Sequence, residues 1–84
     1  MREYWFGDIR PEDHVLDIGA NVGAFSIRAA RYSPHVVAVE PVTAEVLREN
    51  VRLNRAKVTV IEGALGDGNR GEIDWDGTRV RVQT

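Results

Sequence analysis

At 84 residues the chain is small for an α/β enzyme; a domain of this size buries only about 60–65% of its unfolded surface, which allows one modest core and one domain. A formal net charge of −2, with lysines and arginines scattered among acids, gives no sign of a nucleic-acid binder, and the absence of cysteine excludes a disulfide framework and a thiolate metal site. No run approaches the roughly 20 apolar residues of a membrane span, and Met1–Phe6 lacks the apolar stretch of a signal peptide, so a soluble, cytoplasmic chain is expected.

Gly7 to Pro11 reads as a turn-rich approach. His14-Val15-Leu16-Asp17-Ile18 is a short apolar run with one carboxylate, ended by Gly19, and predicts a buried strand running into a glycine loop. Ala24 to Tyr32 mixes Phe25, Ile27, Ala29 and Ala30 with Arg28 and Arg31 and predicts a helix stopped by Ser33-Pro34. His35-Val36-Val37-Ala38-Val39 is a second strand, ended by Glu40-Pro41. Thr43 is placed to cap a second helix, with Val46, Leu47, Asn50, Val51 and Asn54 on one face. Val58–Ile61 is a third strand and Gly63–Gly71 a glycine-rich loop. Asp76-Gly77 then lies between Glu72–Trp75 and Thr78–Gln83, where Val80 and Val82 alternate with polar residues; this signals a hairpin.

The order β-α-β-α-β-hairpin predicts a partial Rossmann-like, three-layer α/β fold: three parallel strands, two right-handed crossover helices on one sheet face, and a C-terminal β-hairpin. The second strand is apolar from Val36 through Val39 and expects cover on both faces. Tyr4, Trp5 and Phe6 are too few to cover the face without helices. The patterning therefore reads as a single domain, residues 1–84, cut short. The outer edge of the first strand is expected to be open, and an open edge with a bare apolar face invites self-association into a dimer or larger oligomer.

The chemistry concentrates at Asp17-Ile18-Gly19-Ala20-Asn21-Val22-Gly23, between a strand and a helix. A dinucleotide site wants G-x-G-x-x-G; Gly19 fits, but Asn21 and Ala24 stand where the other glycines belong. Asp17 would repel a pyrophosphate and would suit a positive group, such as the ammonium of a methionine moiety. Glu40, about twenty residues on at the end of the second strand, is placed to accept hydrogen bonds from ribose hydroxyls. The plainer alternatives are a helix-start cap for Asp17 and a solvated strand-end acid for Glu40.

With these residues in order, the chain resembles class I S-adenosylmethionine-dependent methyltransferases, and its Gly19-Ala20-Asn21-Val22-Gly23 form is similar to the FkbM family. So are Glu40-Pro41 before a helix holding Leu47, Asn50, Val51 and Asn54, the run Glu62-Gly63-Ala64-Leu65-Gly66-Asp67, and the ending Val80–Thr84. The likeness covers nearly all of the chain from Gly7. It implies that Asp17 and the loop Gly19, Ala20, Asn21 and Gly23 hold the methionine part of S-adenosylmethionine. Glu40 would bind the ribose, with Pro41 beside the adenine and Ala64 and Leu65 along its edge. Many relatives place an acid just before that alanine; Gly63 stands there, so adenine recognition would rest on backbone groups. In FkbM-type proteins the next elements carry the acceptor site and the acid beside the reacting methyl. Thr84 precedes both, so no catalytic residue is assigned, the acceptor is unknown, and the chain alone is expected to bind the donor with little or no turnover.

His14 and His35 read as surface or strand-edge residues, and Trp5 and Trp75 as packing. Asp67, Asp74 and Asp76 read as turn acids rather than a metal cluster, and Arg79 and Arg81 as a solvated strand face. Two other functions compete with the methyltransferase reading: a nicotinamide-binding oxidoreductase domain, disfavoured by Asp17, Asn21 and Ala24, and a non-catalytic module that self-associates.

Overall fold

The structure is a computed structural model that describes residues 6–63 and 80–83. After a single 3-10 turn at Phe6–Asp8 come β1 (His14–Ile18), α1 (Ala24–Ala29), β2 (His35–Glu40), α2 (Ala44–Leu53), β3 (Val58–Glu62) and β4 (Val80–Gln83). The four strands form one parallel sheet in the order β3-β2-β1-β4. The three parallel strands and two connecting helices are those the sequence predicts. The proposed hairpin has its first arm, Glu72–Trp75, and its turn outside the described residues. Its second arm contains β4, which pairs in parallel with β1, Leu16 opposite Val82. The outer edge of β1, expected to be open, is therefore occupied.

Alternation along the strands sends Val15, Asp17, Val36 and Ala38 toward the helices. Val15 and Val36 pack with Ala29, Ile9, Phe25 and Phe6. Ala38 packs with Leu47, Ala20 and Val51. Leu47 is wholly buried, whereas Val46, expected on the same helix face, is half exposed. The reason is angular: adjacent helical residues lie about 100° apart, and Ala44, not Val46, shares the core face with Leu47. Phe6 also packs on the helix side. It sits 5.1 Å from the Phe25 ring and under the Arg28 guanidinium, so it does not cover the opposite face.

On that opposite face Leu16 and Val39 are buried, with Ile18, Val37 and Val82 packed against them. Toward β3 the face opens, and Ile61 is 48% exposed. Among the described residues Ile61 is the large apolar side chain left exposed on that face. At the opposite end of the strands from the glycine loop, His14 and His35 stand in register with their rings stacked 4.7 Å apart.

Both helices end at identifiable contacts. α1 stops three residues sooner than its composition suggests. The Ser33 hydroxyl donates to the Asp13 carbonyl at 2.6 Å and accepts from the His35 amide, fastening the end of the α1 turn to the start of β1. Pro34 in addition disfavours helical dihedrals at Ser33. α2 ends with Arg55 in the left-handed region at φ 50°, the Ala56 amide reaching back to the Val51 carbonyl and that of Arg55 to Arg52. This is a Schellman closure with arginine where glycine is usual.

Candidate functional site

The carboxyl ends of β1, β2 and β3 meet at one edge of the sheet, the place where open α/β sheets bind ligands. From β1 the chain enters Gly19–Gly23, which is pinned to β2 because the amides of Gly19 and Ala20 both donate to the Val39 carbonyl, at 2.8 and 3.1 Å. The backbone is left-handed at every second residue, with φ 72° at Gly19, 58° at Asn21 and 96° at Gly23. Glycine takes that conformation without penalty, and asparagine is among the best tolerated of the others. Asn21 therefore fills a position that a dinucleotide loop gives to glycine. Gly19 has open space where a side chain would be. At Gly23 the left-handed backbone already favours glycine, and an added Cβ would in addition clash with Leu47 Cδ1, which would have to shift.

Glu40 is nearly buried at the end of β2. Its Oε1 accepts the Asn21 amide at 2.6 Å; its Oε2 accepts the amides of Val42 at 3.0 Å and Thr43 at 3.2 Å. It is therefore not a solvated acid. It joins the glycine loop to the entrance of α2, and the amides of Val42, Asn21 and Thr43 hold its carboxyl below the usual range. Thr43, expected to cap α2, occupies the cap position but makes no side-chain cap bond; Glu40 accepts the amide of Thr43 itself, not those of the first helical turn that a Thr43 cap would hold. The Thr43 hydroxyl donates to Asn21 Oδ1 at 3.5 Å.

Asp17 lies beneath the loop, 3% exposed, and its Oδ2 accepts the hydroxyl of the wholly buried Ser26 at 2.7 Å. It caps no backbone amide at the start of α1, whose cap residue is Gly23. Burial pushes its pKa up, the Ser26 hydroxyl pulls it down, and the negative charge of Glu40 adds to the rise. Among the described residues no lysine or arginine bridges either carboxylate; the ion pairs present are Arg48–Glu62 and Arg52–Glu49, both on the outer surface. The edge beside the loop thus carries two acids that no cation among the described residues balances.

The structure accordingly brings Asp17, Gly19, Ala20, Asn21, Gly23 and Glu40 together, with Pro41 exposed immediately after Glu40 and Val42 83% exposed beside it. Ala64 and Leu65 lie outside the described residues. The Gly63 amide, available in principle to an adenine, is taken by the Glu40 carbonyl at 3.1 Å. Nothing in the sequence singles out Ser26, the partner of Asp17. Asn50 is legible only as one member of a helix face, yet its Nδ2 donates to the Val22 carbonyl at 2.8 Å. A groove of about 480 Å³ lies between the two helices, lined by Val22, Ile27, Arg28, Arg31, Asn50 and Asn54, away from the acids.

The family model of the TRM5/TYW2 methyltransferase domain matches residues 2–83. The chain is similar to the ribosomal protein L11 methyltransferase of Bacillus cereus (strain B4264), 34% identical over 71 residues that make up 79% of this chain and 23% of that protein. It is similar to the same protein of Geobacillus kaustophilus, 39% identical over 64 residues, 70% of this chain and 20% of the relative. The protein-L-isoaspartate O-methyltransferase of Methanoculleus marisnigri is 44% identical over 66 residues, 76% of this chain and 29% of the relative. The chain thus spans about a quarter of the length of these curated relatives.

Proposed function

This chain belongs to the TRM5/TYW2 methyltransferase domain family, and on that premise we propose that its carboxyl edge binds S-adenosylmethionine as the donor-holding part of a methyltransferase. One observation carries the proposal: two nearly buried acids, Asp17 and Glu40, flank a left-handed glycine loop without any cation among the described residues to neutralise them. Such an edge attracts a ligand with an ammonium and a sulfonium and repels a pyrophosphate. Open space above Gly19 admits the ligand against the backbone.

In this reading Asp17 acts from below the loop, through its field and through Ser26, while Glu40 accepts a ribose hydroxyl alongside the amides it already holds. A carboxylate offers about four acceptor sites, and three are in use. Pro41 and Val42 supply an apolar flank for the adenine, which Ala64 and Leu65 would extend. The bound donor supplies an electrophilic methyl group, and what these residues contribute is orientation, a large part of catalysis in a displacement that needs nucleophile and methyl in line. The relatives are named for different acceptors, a ribosomal protein and an isoaspartyl protein, so the donor side is what their likeness supports here. The finer FkbM reading rests on the form of the loop and on Glu40-Pro41.

The test is calorimetric titration of the purified chain with S-adenosylmethionine, with NAD as control, and the same titrations of Glu40→Ala after circular dichroism has shown it folded. Saturable binding of the methyl donor, weakened at least tenfold in the variant, is expected. Binding of NAD in preference would refute the proposal.

A further inference from the structure

We propose that Asn50 of α2 is a positioning residue for the donor site, an inference that rests on the donor-binding reading above. Its side-chain amide reaches 28 residues back in sequence to hold the Val22 carbonyl at 2.8 Å. From the other side, Glu40 Oε1 holds the amide of the preceding residue, Asn21, at 2.6 Å. Leu47, three residues before Asn50 and so on the same side of the helix, packs so closely against Gly23 that a Cβ there would have to displace it. The β2–α2 unit thus grips three successive loop residues in three ways: Asn21 by its N–H, Val22 by its C=O and Gly23 by contact.

That grip has work to do. Asn21 has a Cβ and still sits at φ 58°, so its conformation persists only if its surroundings enforce it. Val22 is 43% exposed, and its side chain does little to anchor the loop. Asn50 itself faces the groove between the helices, not the carboxyl edge. It is therefore placed to set the shape of the surface a ligand meets without touching the ligand. A loop already held in its binding shape leaves less ordering for the ligand to impose, which appears as affinity.

Three variants separate this role from a merely helical one. Alanine is a better helix former than asparagine, so Asn50→Ala should leave the melting temperature of the chain nearly unchanged or raise it. The same variant should speed amide hydrogen exchange at Asn21–Gly23 and weaken S-adenosylmethionine binding roughly 2- to 10-fold, the equivalent of one ordinary hydrogen bond. Asn50→Asp keeps the size, removes the donor and turns a carboxylate toward the Val22 carbonyl; it should bind more weakly than Asn50→Ala. Asn54→Ala, which removes a bond to the Asn50 carbonyl within the same helix, should leave loop exchange and affinity at wild-type values. Unchanged loop exchange in both Asn50 variants would overturn the grip whatever the cofactor does. Faster exchange with unchanged affinity would overturn the positioning role. A wild-type chain that binds no S-adenosylmethionine, with loop exchange still sensitive to Asn50, would instead overturn the donor-binding reading and the positioning role with it.

Discussion

Replacing Gly23 by alanine introduces one methyl group at the most constrained point of the loop. The backbone there stands at φ 96°, and the new Cβ would lie 2.4 Å from Leu47 Cδ1. Holding an L-residue in left-handed conformation costs roughly 1–2 kcal/mol. Leu47 is wholly buried beneath Ala20 and Ala38, so making room for the methyl means moving a core side chain, and overpacking a core costs a further 1–3 kcal/mol or so. Gly23→Ala should therefore lose about 2–5 kcal/mol, a large part of the stability of a domain this small. Urea unfolding followed by far-ultraviolet circular dichroism measures it. A double-mutant cycle divides the two contributions. Leu47→Val lacks the Cδ atoms that the new methyl meets, so in that background Gly23→Ala should cost only the backbone part, leaving a coupling of about 1–3 kcal/mol. A loss below about 0.5 kcal/mol, or the same loss in both backgrounds, would refute the packing explanation of this glycine.

Ser26→Ala strips a buried carboxylate of its hydroxyl partner and should cost about 1–3 kcal/mol, with the Asp17 carboxyl rising further in an NMR titration. Asp17→Asn should do the opposite to stability. The Asp17 pKa is raised above 3.8 by burial, so the native state holds that proton more tightly than the unfolded chain does and the ionised group is a penalty at neutral pH. The variant should be more stable than wild type at pH 7, an advantage that fades as pH falls through the raised pKa toward 3.8, while its affinity for the methyl donor drops; urea midpoints across pH and calorimetry read the two effects. Glu40 has the reverse sign. Its pKa lies below 4.5, so its contribution is complete above 4.5 and is lost as pH falls below that value; Glu40→Gln should be less stable at neutral pH and should flatten the acid limb of the stability curve. Arg55→Gly, at φ 50° in the α2 closure, should gain about 0.5–1 kcal/mol in the melting or urea midpoint, since glycine relieves the left-handed strain and gives back part of it in backbone entropy.

Elements whose side chains carry a clear period are legible from residue order alone. The limits of β1 are those of the apolar run His14–Ile18, and β2 and β3 each run one residue beyond the predicted runs, to Glu40 and Glu62. The loop is legible because its conformation restricts its own residues: left-handed positions at 19, 21 and 23 ask for Gly, Asn or Gly. What depends on partners distant in the chain is not legible. The alternation of Val80 and Val82 announces a strand without saying that it lies parallel to β1. Thr43 has the composition of a cap, but its hydroxyl turns to Asn21, 22 residues back, and not to the amides of α2. Ser26 looks like any small helical residue until the fold sets it over Asp17. The end of α2 carries no glycine signal because Arg55 tolerates what glycine usually provides.

The strand order has a kinetic consequence. β1, β2 and β3 are joined by connections that each hold one helix, so their pairing closes short stretches of chain. β4 pairs His14 with Val80, closing most of the molecule at once. Ring closure grows more costly in entropy with length, and contacts distant in sequence form against that cost. Assembly should begin with β1, β2 and the helices that cover them, and β4 should dock onto a sheet already standing. By the same reasoning β4 should be the first strand to part from the sheet, which would display the free edge of β1 briefly, during opening rather than at rest.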